Sequence, residues 1–211
     1  MAAKLNRDVI ARAGLDLLDK SGIDGITLRA LATELGVQAP TLYWHVKSKR
    51  DIFSAMAVAI SQDAAALMAT TDSHAPWQER LTSWAHALRQ SIGSHRDGGR
   101  VFAGTFAPDP ATFHVTEAAL EAWQEAGLPL AEAARRTVLI RHFVVGFCIE
   151  EQELVELRDR RDTALGELST GAADPARFPL TSQALPTILT SSADQRFQLG
   201  LQLMLSGVQA G

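Results

Sequence analysis

Apolar residues recur every three or four positions along nearly the whole of this chain, and no strand-like alternation persists beyond a few residues. That period matches the 3.6-residue turn of an α-helix, so the chain is confined to packing helices on helices. Its punctuation agrees. Val9, Ala13, Leu17 and Leu18 form one stripe, which Gly22 stops. Thr27 can cap a second helix through Leu35, which Gly36 ends. Pro40 suits the first position of a third helix of about two turns, ending near Val46. Ser48, with Asp51 three residues on, forms an acidic variant of the capping box and opens a fourth helix to about Leu67. Beyond a linker, "TTDSHAPW" (70–77), helices are predicted at about 76–94, 98–106, 110–126, 130–162, 183–192 and 194–208. The stretch 168–186, rich in Gly, Pro, Ser and Thr, is predicted to be a mobile loop. The expected fold class is all-α, with nine to ten helices.

Composition narrows the function. The one cysteine, Cys148, supplies neither a disulfide nor a thiolate metal site, which suits a reducing cytoplasm. No apolar run approaches the ~20 residues that cross a bilayer, and residues 1–20 are amphipathic rather than a signal peptide, so no membrane partner is expected. Histidines are scattered, "EEQELVE" lacks the Glu-x-x-His of di-iron bundles, and no nucleophile elbow, phosphate loop or zinc spacing occurs. No enzyme, cofactor or metal site is expected. Charge is asymmetric: residues 1–50 hold eight Lys and Arg against five Asp and Glu, a balance of +3, while the other 161 carry −7. A basic head on an acidic body suggests that the head meets a polyanion.

The stretch "GVQAPTLYWHVKSKRDIF" (36–53) sharpens that reading. The second helix, the turn "GVQA" and the third helix have the proportions of a helix-turn-helix. Ala30, Leu31, Leu35, Val37, Leu42 and Val46 supply inner packing, leaving Thr41, Tyr43, Trp44 and His45 outward or sideways. Tyr and Trp offer flat area to sugars and thymine methyls, and Lys49 can close on the backbone from the far side. Arg29 is the best candidate for bidentate contact with guanine. The alternative is that Tyr43 and Trp44 pack on the first helix.

The segment "GITLRALATELGVQAPTLYWHVKSKRDIF" resembles the DNA-binding head of the TetR family, and "TLYWHVKSKR" is especially similar to its tetracycline repressor branch. "SHRDGGRVFAGT" (94–105), "QEAGL" (124–128) and "HFVVGFCIEEQE" (142–153) extend the resemblance through the body. It implies a helix-turn-helix head (1–48), a connecting helix (49–69) and a ligand-binding and dimerisation body (70–211). It further implies that Arg29, Gln38, Pro40 and Tyr43 face bases, while Thr27, Thr41, Trp44, His45 and Lys49 face backbone. Ala39 stands where the branch has a base-reading Gln, so the operator should differ at that base pair.

In the fifth helix Trp77, Leu81, Trp84, Leu88 and Ile92 share a face, a pattern of core or of pocket lining. By resemblance, the effector pocket comprises Trp84, Leu88, Phe102, Thr105, Phe106, Phe113, Ala119, Trp123, His142 and Glu150. The branch's tetracycline-reading amides correspond to Trp84 and Ala119, a histidine to Ala65, and the imidazole that ligates the drug-bound Mg²⁺ to Phe102. Thr105, His142 and Glu150 are retained, although His142 and Glu150 could equally be a buried polar pair. The expected effector is therefore a small apolar or aromatic molecule rather than Mg-tetracycline. The helix at 130–162 and the last helix should form a homodimer interface, so that two heads read a palindromic operator in double-stranded DNA. The expected function is a ligand-responsive repressor. The alternative is a helical small-molecule-binding protein that activates transcription or no longer reads DNA.

Overall fold

A computed structural model describes residues 5–105, 107–159 and 174–206. Ten helices are present among them and no strand: α1 (Arg7–Gly25), α2 (Leu28–Glu34), α3 (Ala39–Leu42), α4 (Lys49–Met68), α5 (Trp77–Gly93), α6 (Gly98–Phe102), α7 (Pro110–Glu125), α8 (Leu130–Asp159), α9 (Pro179–Thr190) and α10 (Ala193–Leu205). Two compact units divide the described residues, the first ending at Ile149 and the second beginning at Glu150.

In the first unit α4 is the hub, packing on α1, α5, α6 and α7, while α1 packs on α2 and α2 on α3. Local chemistry sets the helix starts. Asn6 Oδ1 accepts from Val9 N–H at 2.8 Å, Thr27 Oγ1 from Ala30 N–H at 3.0 Å, and Ser48 Oγ from Asp51 N–H at 3.1 Å. Each satisfies a donor that the first turn of a helix leaves unpaired. The Asp51 carboxylate reaches back as well, accepting from the Lys47 N–H at 2.8 Å and interacting with the Ser48 backbone.

The core stripe of α1 runs one residue beyond the expected one. Ile10, Ala11, Gly14, Leu15 and Leu18 are buried, whereas Val9, Ala13 and Leu17 are only half-buried. Ile10, Leu15 and Leu18 share the first-unit core with Ile52, Met56 and Ile60 of α4, each essentially inaccessible. Burial of such side chains stabilises by roughly 1.5–3 kcal/mol apiece. Gly22 breaks α1 at φ 70°, with a last turn continuing to Gly25.

Three expectations need correction. The third helix is four residues long, not two turns, because beyond Leu42 the chain closes into a turn in which His45 and Val46 both donate to the Leu42 carbonyl. The loop predicted over 168–186 ends earlier, since α9 opens with Pro179 in its first turn and carries Pro186 inside it. A mid-helix proline removes one hydrogen bond without abolishing the helix. Finally, α4 is by length and composition apolar enough to cross a membrane; as the hub of the first unit, it buries Ile52, Ala55, Met56, Ala59, Ile60 and Ala64.

Candidate nucleic-acid interface and effector site

The candidate head residues flank the turn between α2 and α3. Gly36 adopts φ 65°, a left-handed conformation that glycine tolerates without strain, and Val37 N–H donates to the Ala32 carbonyl at 3.0 Å. Leu31, Leu42 and Val46 are fully buried, fixing the inner face; Ala30, Leu35 and Val37 are half-buried. Thr27, Arg29, Gln38, Pro40, Thr41, His45 and Lys49 are exposed, and Ala39 is half-buried. Tyr43 is 50% exposed and Trp44 is 87% exposed. Trp44 thus does not pack on α1. Gln38 makes no side-chain cap to α3.

Lys49 is less free than expected. Its Nζ donates to the Ile23 carbonyl at 2.9 Å and lies 5.4 Å over the Phe53 ring. The same short stretch of α1 is gripped from the segment before α6. Asp97 Oδ2 accepts from Ile23 N–H at 2.8 Å, and Asp19 Oδ1 accepts from Arg96 N–H at 2.8 Å. Asp97 itself is nearly buried, sits at φ 55°, and pairs with Arg100 at 3.1 Å. "SHRDGG" therefore reaches α1 directly, across more than seventy residues of chain. No local pattern signals that contact.

The candidate effector residues divide into separate groups. Leu88, Phe102, Ala119 and Trp123 are buried. Trp84 is buried too, its Nε1 donating to the Val115 carbonyl at 2.7 Å, so the indole satisfies its own polar atom within the bundle. Trp123 rests 5.7 Å from the Trp77 ring with Arg136 over its face, and its Nε1 has no acceptor among the described residues. Phe113 is 52% exposed. His142 is exposed on α8, and Glu150, also exposed, belongs to the second unit. Phe106 lies outside the described residues. Trp84 lines a cavity of about 490 Å³ with Arg80, Ser83, His114 and Ala65, a volume in the range of small-molecule sites.

Sequence reasoning missed Arg141. Its Nη2 donates to the Thr105 carbonyl at 3.0 Å, and its guanidinium lies 5.1 Å over the Phe102 ring. Phe102, Thr105 and Arg141 thus form one cluster, and burial pushes the Arg141 pKa down from its ordinary range. Thr105 Oγ1 is occupied, donating to the Val101 carbonyl at 2.9 Å.

Comparison with known proteins adds ancestry to this geometry. Residues 10–56 match the profile of bacterial regulatory proteins of the tetR family, and residues 71–211 match the tetracyclin repressor-like C-terminal domain. The class D tetracycline repressor protein of Escherichia coli is 35% identical over 210 residues, covering 98% of this chain and 90% of that protein. A possible TetR family transcriptional regulator from Streptomyces coelicolor A3(2) superposes with a TM-score of 0.84 at 32% identity, covering 96% of this chain and 98% of that one. BioQ, solved with its natural double-stranded DNA operator, superposes with a TM-score of 0.68 at 25% identity, covering 99% and 100%.

Proposed function

Because this chain belongs to the TetR family of bacterial regulatory proteins, we propose that it is a transcriptional repressor that binds a palindromic operator as a homodimer and is released by a small aromatic effector. The observation that carries the DNA half is the exposure of Trp44 and Tyr43 beside fully buried Leu42 and Val46. A soluble surface does not ordinarily leave a tryptophan so exposed; a partner covers it. The helix-turn-helix supports placing α3 in a major groove with Arg29, Gln38, Pro40 and Tyr43 toward base edges. Thr27, Thr41, Trp44, His45 and Lys49 then follow the backbone. In this reading residues 1–48 are the head, 49–69 the connecting helix and 70–211 the body.

Dimerisation is supported by apolar side chains left open in this single chain. Val138, Leu139 and Val155 on α8, Ile188 on α9, and Leu199 with Leu203 one turn apart on α10 are each about half exposed or more. A second copy would cover them, and its twofold axis would present two heads to successive half-sites.

The effector half rests on what replaces the branch's drug-reading groups. Phe102 has no lone pair for a metal, and the Arg141 guanidinium over its ring adds positive charge beside that position. The residues present therefore do not fit Mg-tetracycline, and a small apolar or aromatic body fits better. Selection of bound oligonucleotides from a random pool tests the reading: a palindromic consensus is expected, and no preference among duplexes rejects it. Calorimetry should show no tight Mg²⁺-dependent tetracycline binding; nanomolar affinity would reject the effector assignment.

A further inference from the structure

We propose that Arg141 is the acid-reading group of the effector site, and that the effector carries a carboxylate beside its aromatic body. The inference rests on the reading of the Phe102–Thr105 region as the effector pocket. It starts from an imbalance around one side chain. A guanidinium presents five N–H donors in a planar fork. Arg141 uses one on the Thr105 carbonyl and turns a face to the Phe102 ring. Its other donors have no hydrogen-bond or ion-pair partner among the described residues.

Holding a partly buried cation without a carboxylate is unfavourable, because water is removed and no opposite charge replaces it. The lowered proton affinity of Arg141 has that one cause, desolvation. The group remains charged at neutral pH, since arginine starts far above it. An incoming carboxylate accepts two parallel N–H bonds from such a fork and neutralises it. Phe102, 5% exposed, is the buried ring on which the guanidinium lies, so the fork is held beside apolar surroundings. The competing role for Arg141 is purely structural: closing the carbonyl of Thr105, which follows α6. That role predicts no discrimination between ligands by charge.

The test is calorimetry on the full-length protein, without divalent metal, using 2-naphthoate and its neutral isostere 2-naphthamide. The acid is expected to bind more tightly by on the order of tenfold or more. Arg141→Met should bring the two affinities together, and Arg141→Lys should keep part of the preference, because an ammonium retains charge but not the fork. Should Arg141→Met fail to fold, Arg141→Gln gives the same comparison. Equal binding of the two probes, absence of saturable binding by the acid, or a preference that survives in Arg141→Met overturns the proposal. Thr105→Trp separates this from failure of the pocket reading. If both probes bind equally and Thr105→Trp removes both, the pocket stands and only the acid falls. If Thr105→Trp leaves both affinities in place, the pocket is misplaced and the role of Arg141 falls with it.

Discussion

At the tip of the head Trp44 is 87% exposed, whereas in the body Trp123 is fully enclosed. The two regions use the same residue type for opposite purposes. The head holds its aromatics out in the turn that follows α3, next to buried Leu31, Leu42 and Val46. The body turns Trp84 and Trp123 inward and satisfies the Trp84 indole on a neighbouring carbonyl. The difference teaches where an absent partner belongs. An exposed Trp keeps its apolar area in water until a partner covers it, whereas the body's tryptophans are used in internal packing, Trp84 also lining a cavity of about 490 Å³.

The largest expected effect tests that contrast directly. Trp123→Ala should destabilise the protein by roughly 3–5 kcal/mol in chemical denaturation, through cavity formation. Trp44→Ala should change stability by no more than about 0.5 kcal/mol, yet weaken operator binding by on the order of tenfold. If Trp44→Ala proved as destabilising as Trp123→Ala, the exposed face would be a packing face and the comparison would fail.

A smaller effect is expected at the contact joining head and body. Asp97→Ala removes the acceptor of the Ile23 N–H and the partner of Arg100, and puts alanine at a positive φ that it disfavours. A loss of about 1–3 kcal/mol is expected by thermal unfolding. Asp97→Asn, which keeps an acceptor and tolerates that backbone, should lose less; equal losses would mean that the tie to α1 contributes little.

Within the head, Arg29→Ala should lower discrimination at one base pair by about 1–3 kcal/mol in competition binding. Lys49→Ala should weaken all sequences alike and reduce the salt slope by about one. Because Lys49 also closes the Ile23 carbonyl, its loss should lower the melting temperature slightly, which Arg29→Ala should not. The opposite ranking of specificity would exchange the roles given to the two residues.

Most helix positions, the Thr27 and Ser48 caps, and the buried set Leu31, Leu42 and Val46 were legible in the sequence, because each depends on residues within a turn or two. The outward set Thr41, Tyr43, Trp44 and His45 was legible for the same reason, although all but Thr41 lie in the turn beyond α3. What could not be read depends on distant partners or on competition between local signals. Asp97 meets Ile23 across 74 residues and Arg141 meets Thr105 across 36. Periodicity carries no information on either. Pro186 is a breaker by local rule, yet α9 runs through it. In α1, Val9 and Ile10 are equally apolar as neighbours, and only packing against α4 selects Ile10.

The smallest expected effect concerns the junction where the head ends. Asp51 accepts from the N–H of Lys47, and that bond, foremost, holds its carboxyl below the usual carboxylate range. A group with a lowered folded-state pKa stabilises the fold above its unfolded value, near 4, and loses that contribution as pH falls through the folded value. Asp51→Asn should therefore be less stable than the parent at pH 7, by about 1 kcal/mol or less, since the group is close to solvent. The gap should close below about pH 4, where the parent's own carboxyl takes up its proton. A gap that stays constant from pH 7 to pH 2 would show that the amide loses packing rather than charge, and that the turn before α4 is held by Ser48 alone.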